Sequence, residues 1–263
     1  MAQQYQTRIN RAQRHPGHIS IAVPGSGCAG LPRTGCATQL WSDVITHGTG
    51  AAHPGQPLLR GGFGWGTWHF MAKLYFNYST MNAGKSTLLL QAGHNYEERG
   101  MSVYRMTAAF DDRSGQGKIG SRIGFAREAD TFSPSDDLFA RIETVTSETA
   151  LACIFIDEAQ FLTPDQVWQL ARVADDLGVP VMAYGLRVDF QGQLFPGSAT
   201  LLALADSLRE VRTICYCGRK ATMVVRKDDQ GNVLTQGAQV QIGGNETYVS
   251  LCRKHWRQET GSA

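Results

Sequence analysis

Three groups of side chains in this chain have the types and spacings that chemistry needs. The first is Ser79-Thr80-Met81-Asn82-Ala83-Gly84-Lys85-Ser86. It closes as the phosphate-loop pattern G-x-x-x-x-G-K-[ST] does, with Ser79 in place of the leading Gly. Backbone N–H groups of such a turn wrap a phosphate, Gly84 permits close approach, and the following helix N-terminus adds positive potential. Lys85 is placed to reach the β- and γ-phosphates, and the Ser86 hydroxyl to bind Mg²⁺. The second group is Asp157-Glu158, at the end of the apolar run Cys153-Ile154-Phe155-Ile156 and 71 positions after Ser86 (157 − 86). Asp157 reads as the acid that holds Mg²⁺, directly or through water. Glu158 reads as the base that takes a proton from a nucleophile, which is water in an ATPase and a substrate hydroxyl in a kinase. Alone, the pair fits helix capping ahead of Thr163 equally well; behind a phosphate loop the catalytic reading prevails. The third group is Cys215-x-Cys217 and Cys252-x-x-His255, separated by 34 residues (252 − 217 − 1). Three Cys and one His suit a closed, structural tetrahedral Zn²⁺ site, two unrelated thiol pairs being the plainer alternative.

The elements around these groups alternate between strand and helix. Lys73–Tyr78 reads as a strand that runs into the phosphate loop, followed by a helix from Lys85 to Arg99 closed by Gly100. Ser102–Thr107 reads as a second strand, Asp111–Gly120 as a polar loop, and Asp136–Thr149 as a helix. Ala152–Ile156 is a continuous apolar run, as a fully buried parallel strand should be. Thr163-Pro164-Asp165-Gln166 combines an N-cap, Pro at the first helical position and a capping-box Gln, and Gly178 ends that helix. Val179–Tyr184 is a further buried strand and Ser198–Leu208 a further helix. This βαβαβαβα order predicts a mainly parallel sheet covered on both faces, with ligands at the carboxyl edge of its strands. After Val211 the pattern changes to short strands and turns. The metal pairs would pin the base of a long excursion, Gly218–Leu251, which reads as a substrate lid.

Composition divides the chain. Of 263 residues 42% are hydrophobic, enough for a real core, and no apolar run approaches a membrane span. The formal net charge of +2 hides a split: residues 1–70 hold five Arg against one Asp (+4), and residues 71–263 hold 20 basic against 22 acidic residues (−2). The first 70 residues also carry 12 of 29 Gly and five of nine Pro. They read as an irregular, disordered extension, or as translation from a start upstream of a natural one at Met71. They lack the apolar core of a secretory signal. Cys153 reads as a core residue, and an enzyme-like pattern of this kind implies a reducing compartment rather than a disulfide framework.

Taken together, Met71–Gln91, Asn95–Gly100, Asp111-Asp112-Arg113, Ser121–Gly124, Asp157–Leu162, Tyr184–Phe195, Thr213–Lys220, Ile242–Asn245 and Tyr248–His255 resemble the type II, zinc-containing thymidine kinases. The likeness covers essentially all of 71–263. It implies a phosphate-loop NTPase-like (RecA-like) α/β domain over 71–210 and a zinc-binding lasso subdomain over 211–263. It implies transfer of the ATP γ-phosphoryl group to the 5′-hydroxyl of thymidine, with Mg²⁺ at the catalytic site and structural Zn²⁺. Ser79 to Ser86 would hold the triphosphate, Asp157, Glu158, Ala159 and Gln160 would complete the nucleotide and Mg²⁺ site, and Glu158 would be the base. Phe161, Leu186, Phe190, Phe195 and Tyr248 fall where the family lines its thymidine pocket. Cys215, Cys217, Cys252 and His255 match its zinc ligands. A homotetramer in the cytoplasm and feedback by thymidine triphosphate are further implications.

Two other readings compete. A phosphate-loop ATPase acting on nucleic acid could use the zinc subdomain as its reader, with Arg253-Lys254-His255-Trp256-Arg257 supplying charge and one aromatic. The −2 balance of 71–263 argues against the basic track such a motor needs. A non-catalytic nucleotide-binding module that uses zinc for assembly is the other, and Glu158 discriminates these readings: Glu158→Gln is expected to spare binding and lower turnover in a kinase.

Overall fold

In the computed structural model, residues 72–111, 115–240 and 247–262 are described. The expected extension, its boundary at Met71, Asp112-Arg113 and the Ile242–Asn245 stretch lie outside these residues. The elements in chain order are β1 (Leu74–Ser79), α1 (Lys85–Glu97), β2 (Ser102–Ala108), β3 (Lys118–Gly120), β4 (Ala126–Glu128), β5 (Asp130–Phe132), α2 (Leu138–Glu148) and β6 (Leu151–Ile156). A 3₁₀ turn (Ala159–Phe161), α3 (Pro164–Leu177), β7 (Val181–Leu186), α4 (Pro196–Leu204) and β8 (Ser207–Glu210) follow. The remainder comprises β9 (Thr213–Ile214), β10 (Lys220–Ala221), β11 (Met223–Lys227), β12 (Val233–Leu234), β13 (Tyr248–Leu251) and α5 (Arg253–Thr260).

Six strands form one sheet in the order β5-β2-β6-β7-β1-β8, and every neighbouring pair is parallel. Alternate side chains of the central strands feed two cores, as the strand period of two requires. Ile154 and Ile156 of β6, with Val181 and Ala183 of β7, pack with Leu138, Ile142, Val167, Leu170 and Leu201 from α2, α3 and α4. Cys153 and Phe155, with Tyr184, pack on the opposite face with Leu89 and Leu90 of α1. A sheet sandwiched this way has its strand ends as the place for a ligand, and β1, β6 and β7 all end on the residues singled out above.

The capping box at Thr163 is formed in full: Gln166 N–H donates to the Thr163 hydroxyl at 3.2 Å and the Gln166 side chain accepts from Thr163 N–H at 3.1 Å. Two expectations change. The helix expected over Ser198–Leu208 spans Pro196–Leu204, and Ser207–Glu210 is the edge strand β8. Ala205 is extended there, and the Asp206 carboxylate accepts the Leu74 N–H at 2.8 Å, which draws the chain alongside β1. The stretch around Asp111–Gly120, expected as loop only, leads into the antiparallel β3–β4 hairpin. The small subdomain has its own core of Cys215, Ala221, Val225, Leu251 and Cys252.

Candidate active site

The phosphate loop sits between β1 and α1. Positive φ occurs at Asn82 (62°) and Gly84 (80°), whereas Ser79 is the last residue of the extended strand. The leading position therefore makes no demand for glycine. Its hydroxyl donates to the Val211 carbonyl and ties the loop to the chain that enters the small subdomain. Thr80 does the same through its hydroxyl to the Met223 carbonyl at 3.1 Å. The buried Lys85 ammonium donates to the Thr80 carbonyl at 3.1 Å, folding back over the loop where a phosphate chain would lie. Gly84 begins α1 with no side-chain cap, so the helix N-terminus remains available to an anion.

Asp157 is buried at the end of β6 and the Ser86 hydroxyl hydrogen-bonds to it. Burial, then the neighbouring Glu158 charge, push its carboxyl up to about 7, against the pull of Ser86, the Glu158 N–H and Lys85. A buried acid held with a hydroxyl beside a lysine suits a cation that would restore its charge. Glu158 itself has a left-handed backbone (φ 52°), an uncommon conformation for a residue with a Cβ and one that collects at functional sites. The bend turns the chain out of the strand and into the 3₁₀ turn. Gln160, almost wholly buried, holds it: the Gln160 amide donates to the Glu158 carboxylate at 2.5 Å while its oxygen accepts the Leu186 N–H at 2.9 Å. Gly185 and Gly197 leave room for this arrangement. A Cβ on Gly185 would lie 2.9 Å from the Gln160 oxygen and nitrogen, and one on Gly197 would lie 2.5 Å from the Leu162 carbonyl.

Two clefts meet at Glu158. One, of about 640 Å³, runs along Met81–Thr87, Asp157, Lys118 and Arg122. The other is narrow and largely apolar, and contains Phe161, Leu186, Phe190, Phe195 and Tyr248 together. Phe161 stacks edge-on against Phe110 (4.4 Å between centroids) and Phe195 (5.8 Å). Met81, Asp111, Glu158 and Leu186 border both clefts. Sequence reasoning did not single out Phe110, Asp189, Val224 or Gln239 as lining residues, nor Lys118 and Arg122 for the larger cleft. Asp189 is the most informative of these: its buried carboxylate accepts the Gln191 and Gln193 N–H groups and the Gln239 side chain at 2.8–2.9 Å. That last bond fastens the excursion to the cleft wall. Arg226, itself in the excursion, donates to the Ala238 carbonyl at 2.7 Å, which holds the excursion's two arms together, and lies 3.9 Å above the Phe190 ring of the wall.

Cys215, Cys217, Cys252 and His255 place their ligand atoms within 4.8 Å of one another. The separations are 3.3 and 3.5 Å from His255 Nδ1 to the sulfurs of Cys215 and Cys252, and 3.9 Å between Cys217 and Cys252. A tetrahedron with Zn–S of about 2.3 Å and Zn–N of about 2.0 Å has edges of about 3.8 Å (S···S) and about 3.5 Å (S···N). The donor set fits zinc in type, number and spacing. The Cys252 thiol is lowered chiefly by the His255 N–H that faces it, whereas burial raises Cys215.

A mainly parallel α/β sheet with a phosphate loop at the end of β1 and an acid pair at the end of β6, with β7 between them, defines the phosphate-loop class of nucleotide-binding proteins. The comparisons with known proteins narrow the class. The family model described as thymidine kinase matches residues 72–256. A thymidine kinase of Ruegeria pomeroyi is 74% identical over 191 residues, which is 73% of this chain and 96% of that protein. One of Jannaschia sp. is 69% identical over 191 residues (73% and 98%), and one of Rhizobium meliloti 68% over 188 (71% and 96%). The chain belongs to the thymidine kinase family.

Proposed function

We propose that this protein transfers the γ-phosphoryl group of ATP to the 5′-hydroxyl of thymidine, giving dTMP and ADP. The observation that carries this reading is the position of Glu158, at the junction of a narrow cleft lined by Phe110, Phe161, Phe190, Phe195 and Tyr248 and a larger cleft built on a phosphate loop. The triphosphate lies along Ser79–Ser86 with Lys85 on its terminal phosphates. Ser86 and Asp157 would hold Mg²⁺, which would supply neutralisation of the phosphate charge. The nucleoside enters between Phe161, Leu186, Phe190, Phe195 and Tyr248, and its 5′-hydroxyl faces Glu158. Glu158 accepts the hydroxyl proton as the oxygen attacks phosphorus. Phosphoryl transfer has a loose transition state, so positioning and charge neutralisation supply most of the acceleration. Gln160 fixes the base, and Asp189 and Arg226 keep the excursion over the nucleoside.

The Cys₃His cluster is a structural zinc site that pins both ends of this excursion. The catalytic domain spans 71–210 and the lasso subdomain 211–263, with residues 1–70 dispensable to chemistry. A homotetramer in the cytoplasm completes the proposal, which rests on the family likeness; among the described residues no helix is long and apolar enough to cross a membrane.

The test is phosphorylation of each natural deoxynucleoside with ATP and Mg²⁺, on the wild-type chain and on Glu158→Gln. Thymidine should be preferred, and the variant should bind both substrates while its turnover falls by about 10² or more. Normal turnover in the variant would remove the base assignment, and ATP hydrolysis stimulated by DNA but not by thymidine would remove the kinase reading.

A further inference from the structure

Six basic side chains converge on a hollow that belongs to neither cleft. Arg187, Arg219, Lys220, Arg253, Lys254 and Arg257 line about 860 Å³ of open space beside the zinc-ligand cluster and α5. No acidic residue is in its wall, and it shares no lining residue with the two clefts above. Among the described residues, Lys220 alone of the six has a carboxylate partner, Glu210 at 2.6 Å. Arg187 donates to the Thr222 carbonyl at 3.3 Å and Arg257 to the Ser262 carbonyl at 3.5 Å, neutral acceptors that leave both charges uncompensated.

Five cations with no carboxylate partner among the described residues, gathered around one concavity whose wall also holds the zinc ligand Cys252, repel one another and raise a positive potential inside it. Packing does not require them there, since Arg219, Arg253, Lys254 and Arg257 are exposed. The charge exceeds what a single phosphate would balance, and the volume is that of a small-ligand pocket. The wall offers guanidinium forks, which suit phosphate oxygens in pairs. A single-stranded nucleic acid would need aromatic platforms along a track. The one aromatic of the basic cluster, Trp256, is turned away: its Nε1–H donates to the Phe190 and Val224 carbonyls at 3.2 and 3.0 Å, and its ring lies near Gly192. The N-terminus of α5 is not the source of the attraction, because the His255 and Lys254 N–H groups face the Cys252 sulfur.

We propose that this hollow is a second anion site, for a compact chain of two or three phosphates, either free or as the tail of a nucleotide. Calorimetric titration of the zinc-loaded full chain with inorganic tripolyphosphate, pyrophosphate and Mg²⁺-free ATP tests it. Tripolyphosphate should occupy two sites per chain. Lys85→Ala should weaken one, and Arg253→Gln/Arg257→Gln should weaken the other by about 100-fold, roughly tenfold for each charged hydrogen-bond donor removed. Zinc content and thymidine phosphorylation should be unchanged in that pair. Should the pair lose zinc, Arg219→Gln/Arg257→Gln takes its place with the same expectation. Equal affinity for tripolyphosphate and ATP at this site identifies a free phosphate chain as ligand, and tighter ATP identifies a nucleotide tail. A single site lost with Lys85→Ala, or a second site indifferent to both pairs, overturns the proposal and leaves the kinase reading standing. So does an oligonucleotide that binds through Arg253 and Arg257 when tripolyphosphate does not.

Discussion

Replacing Gln160 by Leu tests whether the base is positioned or merely present. Leu keeps the volume of the site but has no polar atom, so two bonds disappear: 2.5 Å to the Glu158 carboxylate and 2.9 Å from the Leu186 N–H. The Leu186 N–H would be left in the interior without its acceptor, at a cost of about 2 kcal/mol. In a domain of this size that lowers Tm by about 4–8 °C. Glu158 would lose the Gln160 amide that holds its carboxylate, and rotamer freedom regained at a reacting group costs about tenfold in turnover, up to about 100-fold if the carboxylate swings out of reach. KM for thymidine should change little, since the lining of the apolar cleft is untouched. The decisive measurement is the double variant with Glu158→Gln, followed by steady-state kinetics. If Gln160 acts through Glu158, the double variant should be no slower than Glu158→Gln alone. Two losses that multiply would show that Gln160 contributes independently and would refute the positioning role, whatever the melting temperature does.

Three further outcomes follow from the same structure. Gly197→Ala places a methyl 2.5 Å from the Leu162 carbonyl and 3.0 Å from the carbonyls of Ala159 and Gln160, so α4 must retreat; a loss of about 1–3 kcal/mol in chemical denaturation, with reduced turnover, is expected. Metal analysis should find one zinc per chain, and Cys252→Ser should release it and lower the melting temperature; a fully active, metal-free protein would contradict a structural requirement. A chain beginning at Met71 should keep full activity and the oligomeric state of the longer chain by light scattering, and loss of either would give residues 1–70 a role.

The legible part of this fold was the part written in local chemistry. Gly84-Lys85-Ser86, Asp157-Glu158 and the Thr163–Gln166 box each act within a few residues, and the parallel sheet follows from apolar runs punctuated by caps. Nothing local marks the strand Ser207–Glu210, since Ser198–Leu208 has no internal breaker; the chain is drawn to β1 by the Leu74 N–H donating to the distant Asp206 carboxylate, which no local pattern records. The tolerance for Ser79 was likewise opaque, since it depends on φ at that position and on Val211, 132 residues away. Asp189 and Gln239 became partners only once the excursion folded back across 50 residues. The aromatic lining entered through family likeness, because a Phe that faces a ligand and a Phe that faces a core have the same hydropathy.

The Arg226 clasp has a consequence for how the enzyme lets go. This guanidinium is 3% exposed, has an unpartnered Nε, and rests on an aromatic ring and backbone carbonyls, with no carboxylate partner among the described residues. If the excursion opens for product to leave, as the proposed lid requires, a cation held that way regains hydration on opening and gives it up on closing. Such an opening would exchange carbonyl contacts for water. With neutral acceptors on the strap there is also no opposite charge for salt to screen, so the rate of product escape should depend little on ionic strength.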